Sequence, residues 1–69
     1  MKDSRKRVIA NIKRLLAAQK KSGEKLCLEL EMSKAYFYSF MGGKKDISLS
    51  TLDRLAIGLE VNTEELFRR

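Results

Sequence analysis

Apolar residues fall along this chain in groups spaced for helices, and strand-like alternation is absent. Val8, Ile9, Ile12, Leu15 and Leu16 recur at i, i+3, i+4, i+7, so one face of a helix is apolar for more than two turns. Ala17 and Ala18 extend it without bulk, and the charges Lys13, Arg14, Lys20 and Lys21 take the remaining surface. This helix is predicted to start at Asp3 or Ser4 and to end near Lys20, where Lys20 and Lys21 suit the negative end of the helix dipole. A second helix is predicted after Ser22, whose hydroxyl can accept from a free amide of the opening turn. Leu26 and Leu30 share a face in it, with Cys27 beside them. Met32 is followed by a second capping residue, Ser33, and a third helix from Lys34 to about Met41 turns Phe37 and Phe40 inward at i, i+3. Two amphipathic helices about three residues apart cannot lie in line and bury both stripes, so they must cross as a helix-turn-helix.

Gly42 and Gly43 introduce a polar loop, Lys44-Lys45-Asp46, and either glycine can take the left-handed conformation that ends a helix. Ser48 or Ser50 then caps a fourth helix, with Leu49, Leu52, Leu55, Ala56 and Leu59 as its apolar stripe and Asp53 and Arg54 facing solvent. Gly58 lies inside that helix at a cost of about 1 kcal/mol relative to alanine, which points to close packing against a neighbour. Asn62 followed by Glu65 has the spacing of a capping box, so a short fifth helix is expected to carry Leu66 and Phe67 and to end at Arg68 and Arg69. The expectation is one all-α domain over residues 1–69, with 1–7 a basic N-terminal segment.

Composition narrows the chemistry. Sixty-nine residues make one domain near the lower limit for folding without a metal or disulfide. With one cysteine and no histidine there is no internal disulfide and no Cys/His metal site within the chain. No histidine is present to act as a base, and no carboxylate pair is spaced to share acid and base work, which argues against an enzyme. No apolar run approaches the roughly 18–20 residues that cross a bilayer, and the amino terminus lacks a signal-peptide core, so a cytoplasmic protein without a membrane partner is expected. Fifteen Lys and Arg against nine Asp and Glu give a net charge of +6, which favours a polyanionic partner over a merely lysine-rich surface once a binding motif is present.

The ordered set of elements resembles the lambda-repressor and Cro family of DNA-binding domains. The residues that carry the resemblance are Asn11 to Leu15 in helix one, Ser22, Leu26, Cys27, Leu30, Met32 and Ser33 around the turn, and Phe37, Phe40, Gly43 and Lys44 after it. Ile47-Ser48-Leu49, Thr51-Leu52, Leu55-Ala56, Leu59, Val61 and Glu64-Glu65-Leu66 continue it, over about residues 8 to 67. The implied fold is five helices with the helix-turn-helix at the second and third. The chain departs from the family pattern at Gly23, where glutamine is common, and at Glu31, where a glycine with positive φ is usual. It departs again at Met41, which is often acidic, and at Ile47, which is often proline.

The resemblance implies a sequence-specific transcription regulator that binds double-stranded DNA without a cofactor, of prokaryotic or phage type, with the third helix in the major groove. Carried over by position, Lys34, Ala35, Tyr38 and Ser39 match base-reading positions, and Ser22, Ser33, Tyr36, Lys44 and Lys45 match phosphate positions. Repression rather than activation follows from family analogy and the small size. A homodimer would bring two half-sites together through Val61, Leu66 and Phe67, unless these complete the monomer core. The rival expectation is a protein-interaction or antitoxin-like module that uses the Tyr36/Tyr38 face. Cys27 reads as a small buried hydrophobe rather than a redox sensor.

Overall fold

The computed structural model describes residues 2–68, with side chains from 4 to 68. Met1 and Arg69 of the expected terminal segments lie outside the described residues, as do the side chains of Lys2 and Asp3. Four α-helices follow one another: α1 (Lys2–Ala18), α2 (Gly23–Leu30), α3 (Lys34–Met41) and α4 (Leu49–Gly58), and among the described residues there is no strand. They enclose one core. Val8 and Ile12 of α1 meet Leu26 and Cys27 of α2, Phe37 and Phe40 of α3, Leu52, Leu55 and Ala56 of α4, and Leu59 and Leu66 beyond it. Each of these is under a tenth exposed.

The three serine caps form as the sequence suggests. The hydroxyls of Ser22, Ser33 and Ser48 accept from the amides of Lys25, Tyr36 and Thr51, so Ser48 rather than Ser50 caps α4. Each such cap is worth about 1 kcal/mol. Gly58 is in tight quarters: a Cβ there would meet Leu26 Cδ1 at 2.8 Å and the Leu30 methyls at 3.1 and 3.2 Å. The backbone of α4 therefore lies directly on the apolar stripe of α2.

Several expectations are corrected. The fifth element is no α-helix but a single 3-10 turn, Thr63–Phe67, and Asn62 makes no side-chain cap bond at its start. The reason lies in α1. The Nδ2 group of the buried Asn11 donates to the carbonyls of both Leu66 and Arg68, at 2.9 and 2.7 Å, while Leu66 is fully buried. Arg68 lies in extended backbone just past the turn, so one amide fixes both the end of the turn and the residue that leaves it. Helix α1 is already under way at Lys2, so neither Asp3 nor Ser4 stands at its start, and the basic segment forms the first turns of α1. Leu49 is 67% exposed and does not belong to the α4 stripe. Asp53 and Arg54 are exposed as expected, and both also make bonds: Arg54 donates to the Leu30 carbonyl at the end of α2, and Asp53 accepts from the Thr63 hydroxyl at 2.6 Å. Lys21, just past the end of α1, reaches two other elements. Its ammonium bonds Glu29 at 2.9 Å and the Gly58 carbonyl at 3.2 Å, tying the end of α1 to α2 and α4.

Candidate nucleic-acid interface

A helix advances 100° per residue, so burying Phe37 and Phe40 sends the opposite side of α3 outward. Ala35 stands near the centre of that outward face. Ser39 and Tyr38 flank it, and Lys34 and Tyr36 mark its two edges. Lys34, Ala35 and Tyr38 are exposed, whereas Ser39 and Tyr36 are half-buried. Ser33 opens the helix in extended backbone. The fold thus brings the four residues expected to read bases onto one solvent-facing surface.

The two edges have different neighbours. On one, Lys34 Nζ lies 3.6 Å from Glu24 Oε2 in the first turn of α2, both side chains largely exposed. On the same edge Tyr38 leans over Gly23, and its ring meets Phe37 edge-on, with centroids 5.2 Å apart and planes at 78°. At the other edge the Lys45 ammonium sits 5.6 Å from the centre of the Tyr36 ring, a cation–π contact that covers the tyrosine and holds the α3–α4 loop beside the helix. Arg5 of α1 bonds Asp46 at 2.6 Å and anchors that loop from behind.

Ser22, Ser33, Lys44 and Lys45 surround this face, all exposed. A serine oxygen that accepts a backbone amide keeps its own hydrogen to donate, so capping leaves Ser22 and Ser33 able to bond an anion. Lys6 belongs to the basic N-terminal segment, which can lie along phosphates or reach into a minor groove, and Lys13 to the charged surface of α1. Both border the same depression as Met41, Gly42 and Gly43, so the positive rim runs from the loop onto α1. The periodicity of α1 carried that signal, since both residues lie off its apolar stripe. Met41 packs on the core in place of the acidic residue of the family pattern. Twelve of the fifteen Lys and Arg residues precede Asp46, against four of the nine acidic ones, so positive charge is concentrated in the segment that builds this surface.

Cys27 lies behind this face. Cys27 is 1% exposed, and burial pushes its thiol above the ordinary value, with Lys34 opposing and Glu24 adding. Such a thiol stays protonated and is a packing group. No group of three metal-ligating side chains occurs among the described residues, and no helix among them is long and apolar enough to cross a membrane. Residues 11–69 match the family of the Cro/C1-type HTH DNA-binding domain. No curated protein and no solved structure matches the chain.

Proposed function

Because the chain belongs to the Cro/C1-type helix-turn-helix DNA-binding domains, we propose that it is a sequence-specific transcription regulator, a repressor that acts by occupying its operator. The observation that carries this reading is the outward face of α3, which takes no part in the core and is bordered by serine hydroxyls and lysines. Laid in a major groove, that face puts Lys34 within reach of guanine O6 and N7, Ala35 against a thymine methyl, and Ser39 beside either a donor or an acceptor. Ser22, Ser33, Lys44 and Lys45, with Tyr36 under Lys45, would hold phosphates and fix the register without reading sequence. One such domain covers about half a turn of groove, so a homodimer across two half-sites roughly 34 Å apart completes the proposal.

Selection from a random duplex pool at about physiological salt tests it. A palindrome is expected to be enriched, and Lys34→Ala should relax one base pair in each half-site at a cost of about 1–3 kcal/mol. Salt-sensitive retention without enrichment would replace sequence reading by nonspecific binding. No retention at all would turn attention to the protein-interaction or antitoxin-like alternative. That alternative is weakened by Lys45, which already occupies one face of Tyr36.

A further inference from the structure

Gly23 and Tyr38 form one unit. Gly23 is the first residue of α2, and its missing side chain is where Tyr38 lies. A Cβ at position 23 would stand 2.7 Å from the Tyr38 hydroxyl oxygen and 3.3 Å from the ring carbon that bears it. It would also stand 3.0 Å from Phe37 Cε2, so the space is closed from two sides. The Tyr38 ring is held there by its edge-on contact with Phe37, which is buried in the core. Nearly half of Tyr38 remains exposed, at 48%. Its hydroxyl therefore lies at the junction of α2 and α3, displaced from Ala35 at the centre of the outward face.

We propose that Tyr38 is a backbone-positioning residue, which uses Gly23 as its seat and donates its hydroxyl to a DNA phosphate rather than to a base edge. The proposal rests on the DNA-binding reading and deepens it. A tyrosine that stood straight out from α3 would have to enter the groove beside Ala35, and its bulk would keep the helix from approaching the bases. Folded back onto Gly23, the ring leaves Ala35 and Ser39 clear and turns its one polar atom toward the side where α2 begins. Glycine at position 23 and tyrosine at position 38 then make one contact that neither provides alone. Base reading falls to Lys34, Ala35 and Ser39.

Tyr38→Phe removes only the hydroxyl and keeps the ring packed on Phe37. Its affinity is measured beside that of the wild type for the selected duplex, for a scrambled duplex, and for a series each carrying one neutral methylphosphonate. The expected result is a loss of about tenfold on selected and scrambled duplexes alike, an unchanged base profile in pool selection, and disappearance of the loss at one methylphosphonate position. Gly23→Ala, checked for an intact thermal transition, should lose at least as much, because it displaces the ring. Relaxation of one base pair by Tyr38→Phe, or unchanged affinity, would overturn the assignment while leaving the DNA-binding reading in place. Failure of the wild type to enrich any duplex would remove both.

Discussion

Four residues share an unusual backbone position: Lys20, Glu31, Gly43 and Glu60 all have left-handed φ, between 53° and 80°. Each stands just past the end of one α-helix, and each is closed by the same pair of bonds. The amide of Glu31 reaches Leu28 O and that of Met32 reaches Cys27 O; Lys20 and Lys21, Gly43 and Lys44, and Glu60 and Val61 repeat the pattern on α1, α3 and α4. This is the Schellman motif, in which glycine is favoured because a Cβ is crowded there. Only one of the four is glycine. Glu31→Gly is accordingly expected to stabilise the fold by about 0.5–1 kcal/mol, the relief at position 31 outweighing the extra freedom of glycine in the unfolded chain. A rise in the urea midpoint at unchanged slope would register it; a fall would show that the Glu31 side chain contributes more than its strain costs. Gly43 and Glu31 were legible as left-handed from residue type and from the family pattern. Lys20 and Glu60 were not, because there the two bonds and the packing beyond the helix end impose a conformation that the residue does not prefer. Asn11 left a trace in the sequence, a polar side chain three residues from Val8 and four from Leu15 on the apolar face. What it binds lies 55 and 57 residues away and left none.

At the scale of elements, helix ends are held by donors from other segments. Gln19 Nε2 donates to Leu59 O at 2.7 Å and Lys21 to Gly58 O, both from the segment after α1 to the end of α4, and Arg54 of α4 donates to Leu30 O at the end of α2. The α2–α4 contact itself depends on Gly58. Gly58→Ala should improve intrinsic helix propensity by about 1 kcal/mol, yet its methyl would stand 2.8 Å from Cδ1 of Leu26, which is fully buried. The expected net effect is destabilisation of about 1–3 kcal/mol by chemical denaturation, the range for overpacking a closed core. A variant more stable than the wild type would mean that Leu26 and Leu30 can repack at little cost. The spans of α2 and α3 were readable because cap, apolar spacing and terminator agree there. The last element was misjudged because a capping-box spacing describes a helix free to form, and this one is clamped by Asn11.

Among the described residues, the terminal turn completes the core. Leu66 is wholly buried and is therefore unavailable as a dimer contact, which leaves Val61 and Phe67, both half-buried at the carboxyl end. Phe67 lines a groove of about 370 Å³ with Val8, Phe40 and Leu52 and with the exposed Leu49. If a homodimer forms through this end, the wild-type sedimentation coefficient should rise with concentration. Phe67→Lys should hold it constant and lower affinity for a palindromic site by on the order of a hundredfold, since linked half-sites bind together. A wild-type coefficient that does not change with concentration would remove the dimer from the proposal. Thermal unfolding of the variant separates this effect from damage to the core.

Periodicity and capping residues by themselves determined the four helices, the inward positions of Phe37 and Phe40 and the crossing of α2 over α3, because those features follow from local bonding and from the need to bury a stripe. They also determined which residues of α3 face outward, since burying one side of a helix commits the other. Tertiary structure alone decided where those outward side chains go. Tyr38 lies back on a glycine 15 positions earlier, Lys34 meets Glu24, Lys45 covers Tyr36, and the final turn tightens onto Asn11. Each of these depends on distances between chain segments that no local pattern encodes.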